Sequence, residues 1–168
     1  LTGDHFFYPN PLESYGQHKR SVWFGCACCP SNISRFLPAV PGYIYATAKG
    51  SIYINLYAAN DADIELNDNV VEISQETNYP WDGIVEITVN PVNESRFSLN
   101  LRIPGWAGNE AIPGNLYKFS EIIENGVKIM VNNAEVKTRV KNGYAVINRR
   151  WKSGDKVTLV LPMDVRKV

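Results

Sequence analysis

From residue 43 onward, apolar and polar residues alternate with the short period of half-buried β-strands. Segments 43–47 and 51–57 flank Lys49-Gly50 and read as a hairpin. In the second segment Ile52, Ile54 and Leu56 share one face, and Tyr53 and Tyr57 the other. Further strand patterns cover 62–66, 70–75, 83–89, 96–103, 127–131, 135–140, 144–148 and 156–161. Asn132-Asn133 and Asn142-Gly143 stand where tight hairpin turns belong. Ten short strands with almost no helix predict a mainly β fold, an antiparallel β-sandwich. Residues 104–126 are rich in Gly, Pro and Asn and predict a long loop.

The first 42 residues follow another pattern. Tyr8-Pro9-Asn10-Pro11 and Ser14-Tyr15-Gly16 carry turn chemistry. A short helix fits from Pro30, with Ile33, Phe36 and Leu37 on one face; Pro38 and Pro41-Gly42 end it. Roughly forty residues are too few to bury a core alone. The expected organisation is a loop-helix segment, residues 1–42, finishing a larger domain that lies mostly upstream, then a sandwich domain, 43–168. Phe6, Phe7, Trp23 and Phe36 are expected to lose their cover in the isolated chain.

All three cysteines fall in Cys26-Ala27-Cys28-Cys29-Pro30. Clustered thiols suit a soft metal such as zinc, or redox chemistry. The pentapeptide leads into the helix, with Pro30 at the favoured first position and Cys29 at the cap. Unpaired N–H groups and the helix dipole there favour thiolate over thiol. Adjacent cysteines pair only with strain, so this is no disulfide framework.

Composition narrows the remaining classes. The chain has 168 residues, 45% of them apolar, and a formal net charge of zero. No basic excess suggests nucleic acid, and no apolar run approaches the ~18 residues of a membrane span. The chain opens on Leu1, so a fragment or a mature piece is expected.

Several motifs together resemble the β-L-arabinofuranosidase family of glycoside hydrolases, family 127 and its relatives. They are Asn10-Pro11-Leu12-Glu13-Ser14, then Trp23-Phe24-Gly25 running through the cysteines to Ser31-Asn32, then Pro41-Gly42-Tyr43-Ile44-Tyr45-Ala46. Tyr53-Ile54-Asn55-Leu56-Tyr57, Asn78-Tyr79-Pro80-Trp81, Leu101-Arg102-Ile103-Pro104-Gly105-Trp106 and Leu161-Pro162-Met163 continue the match in order. The resemblance implies an (α/α)6-barrel catalytic domain followed by β-sandwiches, and an arabinofuranoside-type carbohydrate as substrate. It implies a zinc ion held by one glutamate and three cysteines, with the first cysteine of the adjacent pair as the nucleophile of a retaining mechanism. Cys28 then stands as nucleophile and zinc ligand, and Cys29 as a zinc ligand only. The other ligands and the general acid lie upstream in the family. The piece alone is therefore expected to be inactive and to bind zinc weakly or not at all.

Each remaining candidate has a plainer reading. Cys26 and Cys29 form C-x-x-C, but no thioredoxin-like βαβ pattern surrounds them, and a small buried Cys26 is the expectation. His5, His18, Glu13 and Arg35 read as polar surface before they read as ligands or sugar contacts. Trp81 and Trp106 could stack on a sugar, but beside turns they are expected to pack. The sequons at Asn32 and Asn93 carry no weight without secretion. Two rivals stand beside the hydrolase: a carbohydrate-binding or structural β-sandwich without catalysis, and a thiol redox module.

Overall fold

The structure is a computed structural model that describes residues 3–9, 11–25, 28–124 and 126–168. The chain divides into two compact units, Leu1–Pro41 and Gly42–Val168.

In the first unit a lone antiparallel bridge joins Phe6 to Ser21 through backbone hydrogen bonds of 3.0 and 2.9 Å. It gathers an aromatic cluster: the Phe6 ring meets Trp23 and Phe24 edge-on, and Tyr8 lies 5.3 Å from Phe24. Helix α1 (Cys28–Ala39) follows. It starts two residues earlier than Pro30, so Cys29 lies within the first turn and not at the cap. Proline is tolerated throughout that turn, because the N–H groups there have no intrahelical partner. Pro38 likewise falls inside the last turn and does not end the helix. Ser31 Oγ and Ser34 Oγ donate back to the carbonyls of Cys28 and Pro30 at 2.9 and 2.8 Å. No residue of α1 is buried, and Ile33, Phe36 and Leu37 lie exposed on its surface.

The second unit is built from eleven strands: β1 (Tyr45–Ala48), β2 (Ser51–Ile54), β3 (Asn60–Leu66), β4 (Asn69–Thr77), β5 (Ile84–Pro91), β6 (Ser95–Arg102), β7 (Lys128–Val131), β8 (Ala134–Glu135), β9 (Val140–Lys141), β10 (Tyr144–Trp151) and β11 (Asp155–Val160). One sheet has the order β1-β2-β6-β10-β9, the other β3-β4-β5-β11-β7-β8. Burial alternates along the strands, and the inner faces meet in one core around Ile52, Ile54, Ile73, Val85, Leu99, Trp151 and Leu159. Trp151 stacks on Phe97 and donates its indole N–H to the Phe97 carbonyl at 3.1 Å.

The predicted tight turns form as the chemistry requires. Lys49-Gly50, Asn132-Asn133 and Asn142-Gly143 all have positive φ at both central residues, the hairpin geometry that matches strand twist. Three details depart from the alternation. First, β2 pairs with β6 in parallel, so the sandwich is antiparallel save for this one ladder. Second, segment 135–140 is not one strand: Glu135 pairs with Met130 in the six-stranded sheet, and Val140 with Ala145 in the five-stranded sheet. The chain crosses between layers there, and alternation cannot report which layer a residue serves. Third, β2 stops at Ile54, and Tyr57 turns inward to donate its hydroxyl to the Arg102 carbonyl at 2.5 Å.

Residues 104–124 form the expected loop, with one 3-10 turn at Gly105–Gly108. Asn109, in the left-handed conformation, clamps the loop by exchanging side-chain hydrogen bonds with the Ile123 backbone at 3.0 and 3.1 Å. Arg166 donates to Asn109 Oδ1 at 2.7 Å and to the carbonyls of Trp106 and Glu121, with its guanidinium over the Phe119 ring.

Candidate active site

The first turn of α1 carries two consecutive free thiols, Cys28 and Cys29, both exposed. Successive helical residues point about 100° apart, yet the two thiols stay close enough to interact with each other. Both stand at the positive end of the helix dipole.

Tyr8 reaches this turn from the loop before it. Its hydroxyl lies 2.8 Å from Cys28 Sγ and accepts the Cys29 backbone N–H at 3.4 Å. The Tyr8 ring is seated against Phe24, and the Phe6–Ser21 bridge fixes the strand-like stretch just before it. Either the oxygen or the sulfur can donate in this contact; once sulfur is a thiolate, the hydroxyl donates. The hydrogen bond from Tyr8, helped by the Cys29 thiol, holds the Cys28 thiol below its ordinary range. The same contact to Cys28 pushes the Tyr8 hydroxyl up to about 12. Of the two groups, the sulfur is thus the first to lose its proton as pH rises.

Two adjacent exposed thiols of this kind fit zinc as two of the four donors of a tetrahedral site. Among the described residues, no group of three or more His, Cys, Asp or Glu side chains comes together for a metal. Cys26, and with it the C-x-x-C reading, lies outside the described residues, as do Asn10 and Ala27.

The other candidates are dispersed. His5 pairs with Asp4 at 3.2 Å on the surface, and Glu13 is exposed. Arg35 donates to Asn32 one turn back along α1. His18 is not plain surface: its ring stacks on Phe7 at 4.7 Å, and its Nε2 is enclosed with no hydrogen-bond partner among the described residues. Trp106 packs against the sandwich core as expected, but Trp81 does not pack, being 89% exposed. Tyr8 was not singled out by the sequence; its neighbours Pro9 and Pro11 mark a loop, and nothing in the spacing points it at Cys28.

Residues 51–163 match the model of the β-L-arabinofuranosidase GH127 middle domain. The chain belongs to the GH127 family. Residues 1–42, which carry Tyr8 and the two thiols, match the GH127 catalytic-domain model. A non-reducing end β-L-arabinofuranosidase of Bifidobacterium longum subsp. longum is 33% identical over 151 residues, 80% of this chain but 22% of that protein. A solved GH127 β-arabinofuranosidase superposes with a TM-score of 0.86 at 42% identity, over 98% of this chain and 26% of the other. A GH127 β-L-arabinofuranosidase from Geobacillus stearothermophilus T6 gives a TM-score of 0.76 at 37% identity, over 95% of this chain and 25% of the other. The chain therefore spans about a quarter of the length of its GH127 relatives.

Proposed function

We propose that this chain supplies the nucleophile segment and the first β-sandwich of a retaining, zinc-dependent β-L-arabinofuranosidase-like glycoside hydrolase. The observation that carries the reading is the Tyr8–Cys28 contact at an exposed helix N-terminus, inside the stretch that matches a GH127 catalytic domain. In a retaining mechanism a nucleophile attacks the anomeric carbon while an acid protonates the leaving oxygen. Cys28 is the attacking atom: its sulfur forms the bond to the sugar, and water then displaces it. Tyr8 orients the Cys28 sulfur through its hydroxyl and retains its own proton throughout. Cys28 and Cys29 are the residues that would hold zinc. Bound zinc would keep the thiolates deprotonated and draw charge from sulfur, which improves Cys28 as a leaving group.

The general acid and the remaining zinc donors belong to the catalytic domain that residues 1–42 complete. The substrate class is an arabinofuranoside, carried over from the GH127 relatives. The test uses the chain joined to that upstream domain. Cys28→Ser is expected to abolish turnover, because a neutral hydroxyl is a poor nucleophile. Cys29→Ser is expected to lower zinc content and activity together. A mechanism-based glycosyl inhibitor should label Cys28. An adduct on Cys29 in the mass spectrum, or a fully active Cys28→Ser enzyme, overturns the assignment.

A further inference from the structure

The outer face of the five-stranded sheet holds a groove of about 460 Å3, built wholly from the second unit. Its lining includes Ser51, Tyr53, Ser98, Asn100, Lys141 and Tyr144. The strand registers set these side chains in rows: Ser51 opposite Ser98, Tyr53 opposite Asn100, and Lys141 opposite Tyr144. The Tyr53 and Tyr144 rings meet edge to face at 5.2 Å. Tyr144 is locked, its hydroxyl donating to Asn55 Oδ1 at 2.7 Å and its ring lying under the Arg102 guanidinium. Tyr53 is half-buried, and its hydroxyl has no partner among the described residues.

Asn100 gives the groove its polar floor. It is 4% exposed, and its amide donates to the carbonyls of Ile52 and Ser98 at 3.0 and 3.4 Å. Among the described residues no donor reaches its Oδ1. Ser98 Oγ accepts from Asn148 at 2.7 Å and keeps its own proton to give. Ser51 Oγ and Lys141 Nζ have no protein partner among the described residues. No carboxylate lines the groove. The arrangement is a rigid aromatic surface bordered by hydroxyls, one amide oxygen and one ammonium, all on or beside strands. A sugar ring presents the matching chemistry: an apolar C–H face for the aromatic ring, and a rim of hydroxyls for the polar groups. Groups carried on strands are held well enough to select one orientation.

We propose that this groove is a saccharide-binding site, with Tyr53 as the stacking platform and Ser51, Asn100 and Lys141 as the polar rim. The site does not depend on Cys28, so it stands or falls apart from the hydrolase reading. The test is an NMR titration of the 168-residue chain with an arabinofuranose disaccharide and, separately, with digalacturonate. Binding of either sugar, with amide shifts centred on Tyr53, Asn100 and Lys141, is the expected result. Tyr53→Ala should weaken that binding about fivefold or more while the melting temperature holds. If Tyr53→Ala fails to fold, Ser51→Val and Lys141→Ala, which change only the rim, should each weaken the same binding. No binding of either sugar at tens of millimolar overturns the proposal. So do shifts confined to residues 8–29, or affinity unchanged in folded Tyr53→Ala.

Discussion

Tyr8 Oη and Cys28 Sγ lie 2.8 Å apart across twenty residues of sequence. The contact makes a specific claim about proton affinity. A thiolate that accepts a hydrogen bond gives up its proton at lower pH than one that does not.

In the metal-stripped chain, Cys28 should therefore alkylate with iodoacetamide at a lower pH than an ordinary thiol. Tyr8→Phe removes the donor and keeps the ring. The inflection of the pH–rate profile should move up toward about 8.5, the usual thiol value. The rate at neutral pH should fall with it. Mass-spectrometric tracking of Cys28 modification reads both, and an unchanged profile would sink the idea.

Asp155 makes the opposite kind of link, between turns of the sandwich. Its carboxylate is 1% exposed and accepts from Asn132 Nδ2 at 2.8 Å and from the Lys152 N–H at 3.1 Å, with Arg149 3.7 Å away. Burial works against ionisation, but these hydrogen bonds and nearby cations outweigh it, and the acid is held below its ordinary range. A depressed folded-state value means the carboxylate stabilises the fold above about pH 4, where the unfolded chain is also ionised. That contribution is lost as pH falls through the folded value. Asp155→Asn should flatten the acid limb of stability below about pH 4 and cost about 1–3 kcal/mol near neutrality. Urea midpoints measured across the acid range decide it; an acid limb as steep as that of the parent chain would refute it.

Gly83 is fixed by a neighbour's backbone. A Cβ there would stand 2.0 Å from the Leu161 carbonyl oxygen, while Leu161 N–H donates to the Gly83 carbonyl at 2.8 Å. Neither strand can yield without breaking the pairing of β5 with β11. Gly83→Ala should destabilise by about 1–3 kcal/mol in urea unfolding, the usual cost of forced overpacking. A change under about 0.5 kcal/mol would mean the strands part easily.

The two units should also differ in how they respond to truncation. Leu99 is 0% exposed in the core, and Leu99→Ala should cost about 2–5 kcal/mol. Ile33 on α1 is 57% exposed, and Ile33→Ala should stay within about 0.5 kcal/mol. Equal losses in the same denaturation experiment would show that the α1 face is covered in solution.

Much of the sandwich was legible because its turns are spelled out in residues that tolerate positive φ. Asn132-Asn133 and Asn142-Gly143 say where chains reverse, and Ile52, Ile54, Leu99 and Leu101 say which face is buried. What stayed hidden depends on which strand meets which. The parallel ladder of β2 and β6, and the crossing between Glu135 and Val140, follow from layer geometry that a period of two cannot encode. At the thiol site, Cys28 and Cys29 stood out by their rarity and clustering. Tyr8 did not, because its role comes from a fold-back through the Phe6–Ser21 bridge and not from spacing. Helix capping rules place Pro30 first, but proline is tolerated throughout the first turn, and the helix starts two residues earlier at Cys28.

The parallel pairing of β2 with β6 also orders events on the ribosome. The β1–β2 hairpin emerges early, but a lone two-stranded ribbon is marginal in water. Its neighbour in the sheet is made only after β3, β4 and β5, three strands that all belong to the other layer. Those three form an antiparallel meander from local contacts, so that layer can begin to assemble while the hairpin waits. A nascent chain that stops short of Ser95 carries β2 with an unpaired edge, open to any other strand. Synthesis of β6, and not closure of the hairpin, is the step that removes it.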